Sequence, residues 1–519
     1  MKKILFIALA TLFFVSCSGR TNSGHSGDSS NLNTENNSTE SSDKDITSFS
    51  INGSIGIITG TDISVTMPYG TNEASLIPTI TVSEGAEVSP KSGVAQNFTS
   101  SQTYTVTAED GTTKDYTVTV AVASSSSKDI TSFIIQGKNG VINGTNITVT
   151  LPYGTSVTSL TPTIGYTGVS VSPASGMAQN FTNPQSYTVT AADGTTKGYT
   201  VTVVVSSMPA GYKTAFTANG ITFNMVYVPG GLTFPTGTND SGSASVANAY
   251  WIGETDVTYE LWYDVISWAE AKRHYSFANA GREGKDGTIG APPTTAKNEP
   301  VTTINWRDAM IFSNALTEWY NAKNGTSYTC VYYTDAAYTT PIKTSTNSTT
   351  VTTAQGTQDN PYVKANATGF RMLGSYEWEL AARYIGTTPP TVSPLSTEKK
   401  TTIVGGVTYY WTPGDYASGA TADVNNSAAT KAVSWHSDNS GYNTHDVKGL
   451  RANALGLYDM NGNIWLWIFD WHPSYIGSAR FIRGGSFGST AYCMQISYIG
   501  YHYPYTTEDA VGFRFARTQ

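Results

Sequence analysis

The sequence predicts a multidomain protein in which two all-β domains precede a larger α+β domain. The first observation is an internal repeat: Asp45-Ile-Thr-Ser-Phe49 recurs 84 positions later as Asp129-Ile-Thr-Ser-Phe133. The second is a change in pattern after about residue 215, where Thr-rich alternation gives way to Trp-rich motifs and helical spacing. A length of 519 residues is enough for about three domains of ordinary size.

The N-terminus has the pattern of a bacterial secretory signal. Lys2 and Lys3 precede a short apolar run, which ends at Ser16-Cys17. Residues 1–17 resemble a lipoprotein signal peptide, although Phe14 departs from the usual Leu, and this predicts lipidation, including palmitate, and membrane anchoring at Cys17. An ordinary cleaved signal is the alternative. Residues 18–44 contain almost nothing apolar and predict a disordered linker.

The two repeats, residues 45–123 and 129–206, each predict a small all-β sandwich. In the first, the segment from Tyr104 to Val120 alternates Thr with β-branched or aromatic residues and is broken by Asp-Gly, which predicts a hairpin. The pattern of short strands resembles immunoglobulin-like domains of bacterial surface proteins. A spacer is the favoured role for the repeats, and adhesion is the alternative.

Charge and histidine spacing exclude some classes of function. The formal net charge is −8, charged residues make up 13% of the chain, and Lys and Arg form no cluster. This composition offers no electrostatic footprint for nucleic acid. The six histidines are scattered without metal-ligand spacing, which disfavours a His-ligated zinc or iron site.

Motifs in the last 300 residues predict an α+β domain. Strands are expected at Phe223–Gly231 and Trp251–Thr258, and Asn305 or Thr303 is expected to cap a following helix. Further motifs are Gly456-Leu-Tyr-Asp-Met-Asn-Gly-Asn-Ile-Trp-Leu-Trp467, Arg483-Gly-Gly-Ser486 and Gly512-Phe-Arg514.

These motifs resemble the formylglycine-generating enzyme, or sulfatase-modifying factor, family over residues 215–519. The resemblance implies an elaborated C-type-lectin-like fold. Its helix motif matches Glu377, Trp378, Glu379 and Arg383, which are expected to form a packed and salt-bridged scaffold.

The resemblance implies an oxidase site that is half missing here. In the family's oxidases, two cysteines five residues apart bind copper(I). Cys493 fits the first position, but the second is Tyr498, and a phenol cannot replace a thiolate on copper(I). Cys493 is therefore catalytic only if the chain is an enzyme, and copper is expected only in that case; the alternatives are a buried thiol or a disulfide with Cys330. No other cofactor is expected.

The resemblance also implies a calcium site, formed by Asp459 and the carbonyls of Gly462 and Ile464. Relatives commonly have Glu where Leu466 stands, and an alkyl side chain offers calcium no oxygen. Any calcium site at these residues should therefore be weakened.

The segment from Phe487 to Asp509 is rich in tyrosine and predicts a binding surface. It resembles the variable region of lectin-fold receptors diversified by retroelements, including a spirochaete surface lipoprotein group. Tyrosine gives rigid amphipathic contact area at low entropic cost. The alternative is that these tyrosines pack in a β-rich core. The predicted binding residues are Tyr492, Ile496, Tyr498, Tyr501, His502, Tyr503 and Tyr505.

These expectations combine into a lipoprotein displayed on the outer surface of the bacterial envelope. Its C-terminal domain would bind an extracellular protein or glycan ligand. One alternative is a formylglycine-generating-type oxidase acting on a protein or small-molecule thiol. The other is a structural envelope protein that depends on no ligand.

Overall fold

The computed structural model describes residues 41–519, which divide into two compact units. The first unit contains the residues up to Val204 except Pro152–Thr155, which belong with Val205–Gln519 in the second. The predicted signal peptide, the lipidation site at Cys17 and most of the predicted linker lie outside the described residues. Within the described part, no helix is both long and apolar enough to cross a membrane.

The first repeat consists of two sheets that enclose one apolar core. A three-stranded sheet has the order β2, β1, β5, and a five-stranded sheet has the order β3, β4, β8, β7, β6, with β4 and β8 parallel. The predicted hairpin is confirmed: β7 and β8 are antiparallel, and Tyr104 lies opposite Tyr116. The strands are β1 (Ile46–Ile51), β2 (Ser54–Ile55), β3 (Ile57–Thr59), β4 (Asp62–Met67), β5 (Pro78–Val82), β6 (Glu87–Ser89), β7 (Gln102–Thr107) and β8 (Thr113–Val122).

The second repeat has the same arrangement. Its sheets have the orders β10, β9, β13 and β11, β12, β16, β15, β14, and their inward residues form a second core. Alternate residues of the long strands are buried, as period-two patterning requires. The strands are β9 (Ile130–Ile135), β10 (Lys138–Asn139), β11 (Val141–Asn143), β12 (Asn146–Leu151), β13 (Pro162–Tyr166), β14 (Ser170–Ser172), β15 (Gln185–Thr190) and β16 (Thr196–Val205).

Each repeat buries a tyrosine hydroxyl that lacks a hydrogen-bond partner among the described residues, on Tyr104 in the first and Tyr187 in the second. An unpaired buried hydroxyl costs about 1–3 kcal/mol. We therefore expect Tyr104→Phe to raise the stability of the first repeat by about 1 kcal/mol. Hydrogen exchange of the first repeat measures this, and the unaltered second repeat serves as an internal reference.

Tyr116→Phe is the matched control in the same core. The Tyr116 hydroxyl accepts the backbone N–H of Ile46 (3.2 Å) and donates to Asp45 (3.0 Å). Its removal leaves a buried N–H unpaired, so this variant should lose about 1–2 kcal/mol. Equal destabilisation by the two variants would contradict the prediction, because it would show that the Tyr104 hydroxyl is also paired.

The second unit combines a five-stranded sheet, a four-stranded sheet and five α-helices. The larger sheet has the order β17, β18, β21, β34, β26, and the smaller has the order β32, β31, β30, β33. A third sheet has the order β27, β29, β28, and three strand pairs complete the unit. The strands are β17 (Lys213–Ala218), β18 (Ile221–Val228), β19 (Leu232–Thr236), β20 (Gly242–Val246), β21 (Tyr250–Gly253), β22 (Arg282–Glu283), β23 (Val301–Thr302), β24 (Tyr332–Tyr333), β25 (Tyr362–Val363), β26 (Phe370–Met372), β27 (Tyr384–Gly386), β28 (Lys400–Val404), β29 (Val407–Trp411), β30 (Trp465–Trp471), β31 (Arg480–Arg483), β32 (Gly500–His502), β33 (Val511–Phe513) and β34 (Phe515–Thr518). The helices are α1 (Tyr259–Arg273), α2 (Trp306–Asn324), α3 (Ser375–Arg383), α4 (Leu395–Glu398) and α5 (Ser427–Lys431).

The helix predicted after Asn305 is α2, and Asn305 is its N-cap. The Asn305 side chain accepts the N–H of Asp308, and the Asp308 carboxylate accepts the N–H of Asn305, which completes a capping box. The predicted strand Trp251–Thr258 is shorter than expected, because β21 ends at Gly253 and Thr258 caps α1.

Arg514 of the Gly-Phe-Arg motif joins distant parts of the second unit. Its buried guanidinium donates to the carbonyls of Gly253 (2.9 Å) and Glu254 (3.0 Å), to the carbonyl of Tyr458 and to the carboxylate of Asp256 (2.7 Å).

The mostly β, multidomain architecture predicted from the sequence is confirmed.

Candidate functional site

Arg483, the first residue of the Arg-Gly-Gly-Ser motif, is hydrogen-bonded to the main chain of the tyrosine-rich segment. Its buried guanidinium donates to the carbonyls of Ile496 and Tyr498, both at 3.3 Å. On its other side it donates to the Ser375 hydroxyl (2.8 Å) and the Glu379 carboxylate (3.1 Å) of α3. The path of the segment is therefore set by contacts to its main chain.

Gly485, the second glycine of the motif, lies at a position where a side chain does not fit. Gly485 has φ +77°, which is costly for residues with a Cβ. An added Cβ would also lie 2.2 Å from the Met494 side chain and 3.0 Å from the carbonyl of Cys493. Only glycine permits this close approach between the motif and the segment.

Arg480, the first residue of β31, supports the neighbouring strand β30. Its guanidinium lies between two indole rings, 3.4 Å from the centre of Trp471 and 3.8 Å from the centre of Trp306. It also donates to the carbonyls of Phe469 and Asp359. This arrangement holds Trp471 in place at the end of β30.

Four exposed tyrosine rings, on Tyr475, Tyr492, Tyr501 and Tyr503, form what we call the tyrosine surface. The rings of Tyr475 and Tyr501 are 4.4 Å apart, and the His472 ring lies 5.2 Å from Tyr501. Burial, and to a smaller extent the charge of Arg483, lowers the pKa of His472, which favours a neutral ring there. The alternative in which the segment's tyrosines pack in the core is wrong for Tyr492, Tyr501 and Tyr503.

The remaining predicted residues are less accessible. Tyr498 is half-buried with its ring 5.8 Å from that of Trp465, and His502 is half-buried with its Nε2 3.6 Å from Glu508. Tyr505 is also half-buried and stacks on Tyr503, with ring centres 5.4 Å apart.

The prediction for Ile496 is wrong. Its side chain is fully buried and packs in the core with residues of β30 and α3. Its main chain is occupied as well, because its N–H donates to the carbonyl of Tyr416 and its carbonyl accepts from Arg483. A residue buried in this way cannot contact a ligand.

A cavity of about 380 Å³ lies beside the tyrosine surface. Its apolar lining includes Tyr376, Trp471 and Phe481, and its polar lining includes Asp470. Phe481 pairs with Tyr501 across β31 and β32, which places the cavity next to the surface. A volume of this size is within the range of small-ligand sites.

Sequence reasoning missed Tyr376, Tyr475 and Trp471. They come from α3, from the turn after β30 and from the end of β30. The composition of residues 487–509 therefore could not assign Tyr475 to the tyrosine surface, or Tyr376 and Trp471 to the cavity beside it. The sequence shows that these residues are aromatic, but it does not show that they are exposed. It therefore contained no signal that could have found them.

The two cysteines within residues 41–519 do not fit copper(I). Both Cys330 and Cys493 are free, so the alternative of a disulfide between them is wrong. Cys330 is buried beside α2, with its sulfur 3.8 Å from the carbonyl of Asn314. Cys493 is half-buried in a 3₁₀ helix, and its neighbour in the second position is the phenol Tyr498. Copper(I) needs soft ligands, and one thiol with a phenol does not supply them.

The predicted calcium ligands do not fit calcium either. The Asp459 carboxylate is buried and accepts the N–H of Lys448 (2.9 Å), and burial raises its pKa. Leu466, at the position where the family commonly has Glu, is buried in the core. Within residues 41–519, no group of three or more His, Cys, Asp or Glu is arranged to hold a metal ion. Asp459, Gly462 and Ile464 therefore offer calcium at most one carboxylate and two carbonyls, fewer than the roughly six to eight oxygens that it takes.

The predicted scaffold in α3 is confirmed. Glu379 accepts from Arg383 (2.9 Å) and from Arg483 (3.1 Å), and Arg383 also pairs with Asp240 (2.6 Å). All four side chains are buried, which agrees with a structural role for Glu379 and Arg383.

Comparison with known proteins gives matches in both parts of the chain. Residues 46–120 and 130–203 match the family model described as SGBP, N-terminal. The chaperone protein LppX of Paenibacillus barcinonensis is 26% identical over 296 residues, which cover 53% of this chain and 83% of that protein.

Two solved structures are similar to part of this chain. Treponema denticola variable protein 1 is 26% identical, with 60% of this chain and all of that chain covered and a TM-score of 0.42. PvdO from Pseudomonas aeruginosa is 18% identical, with 60% and 100% covered and a TM-score of 0.36. Residues 214–519 match the family model described as sulfatase-modifying factor enzyme 1-like domain. Because this model spans more than half of the chain, the protein belongs to the sulfatase-modifying factor enzyme 1-like family.

Proposed function

We propose that this protein is a lipid-anchored binding protein of the bacterial cell envelope. Its C-terminal unit binds an extracellular protein or glycan ligand through the tyrosine surface. The observation that carries the proposal is the exposure of Tyr492, Tyr501 and Tyr503 on a segment whose backbone is held by the buried Arg483. Exposed tyrosines on a rigid support are typical of binding surfaces.

The rest of the chain serves display in this proposal. Lipidation at Cys17 anchors the protein, and the two repeats, as immunoglobulin-like spacers, hold the C-terminal unit away from the membrane. The outer surface of the envelope is the location that such an arrangement serves. Replacement of Tyr492, Tyr501 or Tyr503 by other residues would leave the core unchanged, which supports the proposal that the segment is diversified. Sequencing the segment in clonal isolates tests this diversification.

Binding depends on the tyrosine surface if the proposal is correct. The full chain and a variant with Tyr492→Ala, Tyr501→Ala and Tyr503→Ala are compared on a printed array of extracellular-matrix proteins and glycans. Aromatic anchors commonly contribute more than about 2 kcal/mol each, so the variant should lose at least about 30-fold in affinity for the feature bound by the wild type.

The control for this experiment is Tyr442→Ala. Tyr442 is exposed on the same unit but is not part of the tyrosine surface, so its loss should leave binding unchanged. Binding that survives the triple substitution, or no bound feature at all, would overturn the proposal and favour a structural envelope protein.

A copper(I) titration with a formylglycine assay on a cysteine-containing sulfatase-motif peptide distinguishes the enzyme alternative. We expect neither tight copper binding nor product, because Cys493 lacks a second thiol. Tight binding with turnover that is lost in Cys493→Ser would replace the proposed function with an oxidase.

A further inference from the structure

The cavity beside the tyrosine surface has one accessible charge, and it is negative. Three charged residues line it: Glu379, Arg483 and Asp470. Glu379 and Arg483 are buried and neutralise one another at 3.1 Å. The Asp470 residue is exposed, but its carboxyl group packs against neighbouring atoms, and this burial raises its pKa. One of its carboxylate oxygens accepts the N–H of Ser375 (2.6 Å). None of the ion pairs formed within residues 41–519 includes Asp470, so its charge remains available to a ligand.

The cavity does not offer a site for an anion. Arg483, the one cationic residue in the lining, directs its donors to the Ser375 hydroxyl, to Glu379 and to two carbonyls of the tyrosine-rich segment. An anionic ligand would have to displace these bonds and approach Asp470. A lone exposed carboxylate also provides too few oxygens for a divalent cation.

The walls of the cavity suit a group that is partly apolar and ends in a planar cation. Tyr376, Phe481 and Ile499 provide aromatic and aliphatic surface, and Tyr376 and Ile499 are exposed. One face of Trp471 is already covered by Arg480, so a ligand cation is expected at Asp470 and Tyr376. A guanidinium is planar, forms paired hydrogen bonds to a carboxylate and stacks on aromatic rings, whereas an ammonium is a compact and strongly hydrated charge.

We propose that this cavity receives an arginine side chain of the protein ligand, with the guanidinium on Asp470 and the aliphatic stem against Phe481 and Ile499. The proposal rests on the proposed binding function and names the chemistry of the partner. It also makes a protein, with arginine at its contact surface, the favoured ligand over a glycan.

The test uses the full chain labelled with 5-fluorotryptophan and observed by ¹⁹F NMR. All 11 tryptophans give signals, and Trp471→Phe identifies the signal from the cavity. The probes are the peptides acetyl-Gly-Arg-Gly-amide and acetyl-Gly-citrulline-Gly-amide. In the second peptide a neutral ureido group replaces the guanidinium cation. A charge-assisted hydrogen bond predicts binding of the arginine peptide at least about tenfold tighter than that of the citrulline peptide.

Asp470→Asn should abolish this preference. Asparagine can still accept the N–H of Ser375, so the start of α3 is retained. Asp509→Asn, which removes a carboxylate from the end of the tyrosine-rich segment, is the matched control and should retain the preference. Equal affinity for the two peptides, or no shift of the Trp471 signal with either, would overturn the proposal.

These outcomes are separate from the test of the proposed function. Tyrosine-dependent array binding without a preference for arginine would refute only the arginine site. A preference for the arginine peptide without tyrosine-dependent array binding would refute the receptor function and leave a guanidinium site.

Discussion

Replacing Glu379 by Gln should lower the free energy of unfolding of the C-terminal unit by about 3–5 kcal/mol. Glu379 is buried, and each of its carboxylate oxygens accepts from a different buried guanidinium, that of Arg383 (2.9 Å) or of Arg483 (3.1 Å). A neutral amide cannot balance the charge of Arg483, which has no other carboxylate partner among the described residues, whereas Arg383 keeps its pair with Asp240. The NH₂ group of the amide would also face one of the two guanidinium groups. Loss of one partner from a buried ion network leaves an uncompensated charge, which is the reason for the large effect.

Denaturant unfolding followed by tryptophan fluorescence measures this change in the full chain. All 11 tryptophans lie between residues 251 and 471, so the signal reports the C-terminal unit alone. Glu260→Gln is the matched control, because its ion pair with Lys297 is substantially exposed and should contribute less than about 1 kcal/mol. If Glu379→Gln lowered the free energy of unfolding no more than the control does, the buried ion network would not depend on this carboxylate.

Asp359→Asn, at a second buried ion pair, should lower the free energy of unfolding of the C-terminal unit by a similar amount, about 3–5 kcal/mol. The Asp359 carboxylate accepts from Arg307 at 2.6 Å and 3.0 Å and from the N–H of Thr352 at 3.1 Å. Neither Arg307 nor Asp359 has any exposed surface in its side chain. Arg307 also donates to carbonyls of the loop near Thr346, so its charge stays buried after the substitution.

The same unfolding experiment measures the Asp359 variant, and Asp438→Asn, at an exposed carboxylate, is its control. The ¹⁹F signal of Trp471 provides a second readout, because the Asp359 carbonyl accepts from Arg480, whose guanidinium lies against that indole. We expect this signal to shift in the Asp359 variant and to stay in place in the control. An unchanged stability would contradict the prediction, because Asp359 is the one carboxylate that pairs with Arg307 within residues 41–519.

The elements that the sequence predicted well are those with local signals. The hairpin of β7 and β8 follows from alternation and an Asp-Gly turn, and α2 follows from apolar spacing and its cap at Asn305. The family motifs predicted the C-terminal fold, because Arg483, Gly485 and Arg514 each make contacts that few other residues could make.

The binding surface could be predicted only in part. Composition indicated that the segment from Phe487 to Asp509 is unusual, but composition does not tell which side chains face outward. Ile496 and Tyr492 lie in the same segment, and one is buried while the other is exposed. The pairing of β30, β31 and β32 brings Tyr475 to the tyrosine surface and Trp471 to the cavity beside it. Pairing over such a distance in the sequence leaves no local signal.

The hydrogen bonds from Arg483 to the carbonyls of Ile496 and Tyr498 have a consequence for mutational robustness. A carbonyl accepts the same bond whichever side chain its residue carries, so these two bonds do not depend on the side chains at the exposed positions of the segment. Exposed positions such as Tyr492, Tyr501 and Tyr503 can then change in combination without a compensating change in the framework. The unit therefore has the property that engineers seek in an alternative to antibodies, a stable frame on which many specificities can be displayed.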